Sequence, residues 1–400
     1  MAEPHRRTSV VIALGTAQTL AWGSTYYLPA VLAQPMAREF GVSPSWIFGA
    51  FSAALIVSAL FGPAAGRAID ARGGRGVLAI SNLVFAAGLL LMATASQVWM
   101  LAAGWLVLGI GMSMGLYDAA FAALAYLYGR EARGPITGIT LIAGFASTVG
   151  WPLSALFEAE FGWRGACLFW AAVQLCVALP INRFLLPATP APASASPITN
   201  TTAEATASGG TAPRHAMMLL AFVFSAAWFV TGAMAAHLPH LLEASGATPA
   251  AAIAAAALVG PAQVVARVAE FGFLRKAHPL ISARLACIAH PIGAAALFLF
   301  GAPAAVAFVL LHGAGNGVLT IVKGTLPLAI FGPDGYGLRQ GLLGAPSRFV
   351  QACAPLLFGL LIDVYGAASV AISAACCLLA FGALMALRPA LSVASARLPT

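Results

Sequence analysis

Apolar runs follow one another along almost the whole chain, and polar residues are confined to short gaps between them. Crossing a bilayer takes a helix of roughly 20 mostly apolar residues. Breaks at glycine, proline and charged clusters cut the chain into twelve such helices, near residues 8–33, 43–66, 77–95, 98–127, 135–157, 163–186, 216–242, 249–273, 280–301, 303–330, 338–362 and 366–387. Inside lipid the backbone must satisfy its own hydrogen bonds, which leaves only helices or closed barrels. The runs are too long, and too rich in Ala, Leu and Gly, for the short alternating strands of a barrel. The pattern therefore predicts an all-α integral membrane protein. One long interruption, "PATPAPASASPITNTTAEATASGGTAPRH" at 187–215, cannot bury a core and reads as a flexible cytoplasmic linker. It divides a six-helix segment at 1–186 from a second at 216–400. Arg6 and Arg7 precede the first apolar run as in a signal peptide, but that run is too long for one and reads as a retained helix.

Composition sharpens this picture. The 400 residues are 61% hydrophobic and 8% charged, with a mean hydropathy of +0.91, whereas soluble domains carry about 25% charged residues. Basic residues set the orientation. With both termini in the cytoplasm, sixteen Lys and Arg fall on the inner side, only Arg38 and Arg164 on the outer side, and Lys323 and Arg348 within helices. The net charge of +8 is thus a topology signal and an anchor for anionic lipid, not a nucleic-acid footprint. On this orientation the Asn200 N-x-T pattern is cytoplasmic and has no role in glycosylation. The six cysteines lie in apolar stretches without metal-ligand spacing and read as small core residues. No metal or cofactor is expected.

The two segments echo each other. "FGPAAGRAID" supplies Gly62, Pro63, Arg67 and Asp70, followed by Arg75; "VGPAQVVARVAEFGFLRK" supplies Gly260, Pro261, Arg267 and Glu270, followed by Arg275. Gly109, Gly111, Gly134, Gly138, Pro152 and Glu160 return as Gly313, Gly315, Gly337, Gly341, Pro355 and Asp363, at a constant offset of 203 or 204. Repeats of this kind are typical of secondary transporters, which bind substrate near the midplane between two halves.

The loop "GRAIDARGGRGVL" carries Gly66, Asp70, Gly73, Arg75 and Leu78 in the register of the loop signature of the major facilitator superfamily, which the chain resembles over nearly its whole length. Ala71 and Gly74 stand where that family usually has basic residues. Trp105 stands in the fourth helix where many proton-coupled members have Arg, and the antiporter signature of the fifth helix is reduced to Gly144, Gly150 and Pro152. The resemblance implies two pseudo-symmetric six-helix bundles and secondary active transport by alternating access. It also implies a bacterial inner-membrane protein working as a monomer on a small molecule, with protons as the coupling ion. Gly66, Asp70, Gly73 and Arg75, echoed by Arg267 and Glu270, would latch the cytoplasmic ends of the halves in the outward-facing state.

Intramembrane charges are costly and default to function. Asp118 in the fourth helix, Lys323 in the tenth and Arg348 in the eleventh are the three clear cases. Asp118 is expected either to pair with Lys323 or Arg348 across the halves as a gate or to form a static pair within one bundle. It is also the best single proton carrier. Trp22, Tyr26, Trp151, Trp228, His312 and Gln351 join Arg348 as candidates for lining a substrate cavity. Trp22 and Tyr26 are four residues apart and share a helix face. The balance of two cations to one anion favours a small organic anion such as a monocarboxylate, with Arg348 as its fork. The alternative is an exporter of drugs or small toxic compounds, including metalloid oxyacids. A receptor built on a transporter fold, or a membrane enzyme, is a third class; no constellation of nucleophile, base or metal ligands supports the enzyme.

Overall fold

The structure is a computed structural model that describes residues 4–187 and 211–387. The Asn200 pattern, most of the 187–215 linker, Arg388 and Arg397 lie outside the described residues. The chain is helical throughout the described parts: α1 (Pro4–Ser24), α2 (Pro29–Phe40), α3 (Pro44–Arg72), α4 (Gly74–Ala93), α5 (Val98–Gly115), α6 (Tyr117–Tyr128), α7 (Arg133–Ile142), α8 (Ala146–Val173), α9 (Thr211–Ala244), α10 (Pro249–Ala256), α11 (Val259–Ala269), α12 (Pro279–Phe300), α13 (Ala305–Phe331), α14 (Tyr336–Tyr365) and α15 (Ser369–Ala386). Among the described residues, eight stretches are long and apolar enough to cross a membrane. One of them, Val98–Leu185, runs for 88 residues and folds back at Gly129 (φ 55°) and Gly162 (φ 69°), left-handed conformations that favour glycine.

Four of the predicted spans are not continuous helices, and the breaks matter for function. The expected helix at 8–33 divides into α1 and α2, because Pro29 cannot donate to the preceding turn and instead begins a new helix. The expected helix at 98–127 is broken at Leu116, whose backbone is extended (φ −90°, ψ −172°). The 135–157 span narrows to a 3₁₀ turn at Ala143–Phe145. The 249–273 span breaks between α10 and α11 and closes in a π turn at Glu270–Leu274. In lipid such interruptions persist only where other groups take up the freed backbone bonds. At Leu116 this is visible: Gln18 Nε2 donates to the Gly115 carbonyl at 2.7 Å.

Buried apolar side chains form four clusters. Two draw on residues 10–186, with Leu328, Tyr336 and Ala352 added, and two on residues 220–387. The cysteines are free; Cys167, Cys287 and Cys377 are core residues as expected, whereas Cys176 is exposed on the outer face of its π turn.

The two sets of helices meet chiefly where α3 packs against α14. Ser58, Gly62, Gly66 and Asp70 recur every four residues and so occupy one stripe of α3. Opposite them lie Gly337, Gly341, Gly344, Arg348 and Gln351, whose spacing of three and four forms one stripe of α14. Glycine is required here by distance: a Cβ on Gly66 would stand 2.0 Å from the Gly337 carbonyl oxygen, and one on Gly341 would stand 2.6 Å from the Gly62 oxygen.

Candidate functional site

Asp118 occupies the second position of α6, where the helix restarts after Leu116 and its exposed N–H groups favour a negative charge. Its Oδ2 accepts from Arg348 Nη2 of α14 at 2.7 Å, and its Oδ1 pairs with Lys323 Nζ of α13 at 2.8 Å. The sequence offered Lys323 or Arg348 as its partner; both are. All three side chains are buried. Gly344 makes room for the carboxylate, since a Cβ there would lie 2.9 Å from Oδ2. Arg348 Nη1 donates to the Ser58 hydroxyl and, at 3.3 Å, to the Ser58 carbonyl of α3. The Lys323 ammonium also stands 4.7 Å from the centre of the Trp228 ring, a cation–π contact that gains weight when desolvated.

An aromatic wall closes the other side. Trp22 packs on Tyr26 and on Tyr117, each with ring centres 5.0 Å apart, and Tyr26 packs edge-on to Phe51. Gln351 Nε2 donates to the Tyr26 hydroxyl at 2.8 Å, joining α14 to the turn after α1. Trp22 Nε1 is buried without a hydrogen-bond partner. These groups enclose about 30 Å³ of open space, lined also by Ser58, Met112, Phe121 and Thr320, enough for a water or two. Any organic solute therefore needs the helices to part. A wider surface recess of about 220 Å³ opens beside the Gly73 loop, but none of the intramembrane charges lines it.

Two expected cavity residues are elsewhere. Trp151 is 45% exposed and does not line the small space, but packs edge-on to Tyr27, which itself packs on Trp22 and Tyr26. His312 points into its own helix set: its Nδ1 lies 3.0 Å from Nδ1 of His290, whose Nε2 lies 3.0 Å from the Ser373 hydroxyl. Of the residues that the sequence reading missed, Thr320 was legible, being three residues from Lys323 and so on its helix face. Ser58 was legible in the same way from its spacing to Gly62 and Gly66. Tyr117 was not, since its direction depends on the break at Leu116.

The expected latch is differently made. Gly66 provides the close approach already described, and Gly73 (φ 77°) makes the turn between α3 and α4. Asp70 accepts from the backbone N–H groups of Gly337 and Leu338, both at 2.8 Å, two of the unsatisfied donors that begin α14. Arg75 does not cross between the helix sets; its Nε donates to the Arg183 carbonyl at 2.6 Å. Glu270 is not paired with Arg267. It meets Arg133 Nη2 at 3.4 Å and the Ser282 hydroxyl at 3.1 Å. Arg133 in turn donates to the carbonyls of Leu274, at 3.0 Å, and Ala277. The echo of Leu338 at an offset of 203 is Pro135, which has no N–H to give, so the second contact uses a guanidinium instead. Arg267 is buried beside the cavity wall, and the surface tally of basic residues loses one.

Asp70→Ala should cost the closed form about 1 kcal/mol, the usual worth of a helix cap, and raise the opened population roughly fivefold. Alkylation of a cysteine placed at Thr320, with reagent added from the Asp70 side, reads this directly.

Broken helices around a small, charged centre, closed at one end by contacts between two helix sets, define a solute carrier. A family model of the Major Facilitator Superfamily matches residues 14–322, and the chain belongs to that superfamily: it is an integral membrane transporter and not an enzyme. No curated protein matches it. Among solved structures, that of the human organic anion transporter MFSD10 (TETRAN) is similar, with a TM-score of 0.73 and 19% identity over 95% of this chain and 99% of that one. At that identity the likeness is one of fold.

Proposed function

We propose that this secondary transporter moves a small organic anion together with a proton, with Arg348 as the carboxylate fork and Asp118 as proton carrier and gate. One observation carries the reading: Lys323 and Arg348 against Asp118 leave a buried centre with one positive charge in excess. An unbalanced charge out of water is costly, and an arriving carboxylate offsets it until Asp118 takes up its proton. The similar structure is titled an organic anion transporter, which agrees with this reading.

Asp118 occupies the arms of both cations in the empty site. An arriving carboxylate takes the planar fork of Arg348, whose paired donors match it, and Asp118 is freed to accept a proton. The empty site and the site holding anion plus proton then carry the same net charge, so loaded and empty carriers reorient at similar electrostatic cost. Twelve spans form two six-helix halves, 1–186 and 216–400, joined by the 187–215 linker and rocking about the α3–α14 seam. With both termini in the cytoplasm of a bacterium and the chain working as a monomer in the inner membrane, the Asp70 and Glu270 contacts shut the cytoplasmic end. The conformation described is then one closed to the cytoplasm.

Ligands that bind the native state raise its stability in proportion to the logarithm of their concentration over Kd. Small organic anions are expected to raise the unfolding temperature of the detergent-purified protein, and Arg348→Gln to remove the effect. Stabilisation by cationic or neutral amphiphiles alone would instead favour a drug exporter with Asp118 as the anchor. Anion binding without flux in vesicles would favour a receptor.

A further inference from the structure

The centre has a further cation that the Asp118 cluster does not use. Arg267, near the end of α11, is 5% exposed. Its Nε donates to the Gly317 carbonyl at 3.2 Å and its Nη1 to the Thr140 carbonyl at 3.0 Å. Its Nη2 reaches Gln263 Oε1 at 3.3 Å and the Thr320 hydroxyl at 3.5 Å. All four acceptors are neutral. Among the described residues no carboxylate forms a salt bridge with Arg267, whereas Arg7, Arg133, Arg164 and Arg348 each have one. Glu270, three residues away, is turned to Arg133. A guanidinium does not shed its proton, so this charge is buried and unbalanced.

Its position relates it to the cavity. One of the groups that touch it, Thr320, also lines the space beside Asp118. The two contacts of Nη2, to Gln263 and Thr320, are longer than the usual 2.7–3.2 Å for such bonds, so this arm, on the Thr320 side, is weakly held and can turn to a stronger acceptor. Thr320, which Arg267 meets, and Lys323 are three residues apart on α13, about 4.5 Å along its axis, and Arg267 also meets the Gly317 carbonyl one turn before Thr320. Three cations less one carboxylate give the centre a net charge of +2.

We infer that Arg267 is a second anion-recognition point of the same site and that the substrate class is dianionic, a short dicarboxylate held between Arg348–Lys323 and Arg267. The inference rests on the organic-anion reading and narrows it: one carboxylate displaces Asp118 from Arg348, and the other takes Nη2 of Arg267. Two negative charges bring the centre to neutrality while Asp118 is ionised, and a proton on Asp118 then leaves it at +1. Because Nη1 of Arg267 holds the Thr140 carbonyl across α7 and α11, occupancy at this end bears directly on a contact between the two helix sets.

The test compares malonate, succinate and glutarate with acetate and propionate as ligands of the purified protein, by thermal stabilisation at pH 7.5 and by counterflow in proteoliposomes. Dicarboxylates are expected to bind wild type at least tenfold more tightly than monocarboxylates. Arg267→Gln is expected to weaken dicarboxylates at least tenfold more than monocarboxylates, and Arg267→Lys to restore part of the difference. A wild type that prefers monocarboxylates or shows no preference overturns the inference even if the variants fail to fold. Equal weakening of both classes by Arg267→Gln overturns it too, since Arg267 would then be a structural clasp. If no organic anion binds, or Arg348→Gln leaves anion binding intact, the organic-anion reading itself has failed.

Discussion

Asp118→Asn is expected to reduce uptake driven by a pH gradient to background and to destabilise the protein. The carboxylate is the one negative charge among three buried cations, so the amide leaves Lys323 and Arg348 facing each other with no negative charge between them. Breaking a buried ion pair by removing one partner costs about 3–5 kcal/mol, since the remaining charge stays buried and uncompensated. Here two charges are left. Removing Lys323 as well, in Asp118→Asn/Lys323→Met, should recover part of the stability, because neighbours in one ion network are not additive. Recovery of stability without recovery of proton-driven uptake would separate the two roles of Asp118. Proton-driven accumulation by Asp118→Asn at the wild-type level would show that the proton travels elsewhere.

The second large effect is expected at Gly66, which has no chemistry of its own. A methyl group there would sit 2.0 Å from the Gly337 oxygen and 2.4 Å from its carbonyl carbon. Backbone cannot swing away as a side chain can, so α3 and α14 must separate by about 1 Å or more to reach ordinary contact. That separation breaks the Asp70 contacts to Gly337 and Leu338 as well. Gly66→Leu should therefore lose transport to background while still folding, and a cysteine at Thr320 should become reactive from the Asp70 side. Gly76→Ala is the control, because nothing lies within 4 Å of a Cβ at that position, and it should transport as wild type. Transport by Gly66→Leu within twofold of wild type would mean that the seam is not a moving contact.

Much of the site was legible because charge in a membrane is rare. Asp118, Lys323 and Arg348 stand out in any reading of the sequence, and the stripes Ser58–Gly62–Gly66–Asp70 and Gly337–Gly341–Gly344–Arg348 follow from helical spacing alone. The inward turn of Arg267 was not legible. Its echo of Arg67 and its closeness to Glu270 both suggested a surface latch. The local chain offers no sign that Glu270 would be taken by Arg133, more than a hundred residues earlier. Trp151 and His312 were misplaced for a related reason. A helical wheel assigns a face only while the helix is continuous, and it says nothing about which of two buried neighbours a polar atom meets.

The sequence by itself determined that this protein lives in a membrane and is built of helices, since a chain so poor in charge has no other way to satisfy its backbone in lipid. It also determined the family and the three charges at the centre, because both are carried by residue identity and spacing. Only the tertiary structure decided who holds whom: Asp118 between two cations, Asp70 on the start of α14 instead of on an arginine, and Arg267 beside the cavity with no carboxylate. Those pairings depend on where helices break and on the few ångströms between glycine-faced backbones. Both are settled by packing between residues far apart in the chain, not by their neighbours in sequence.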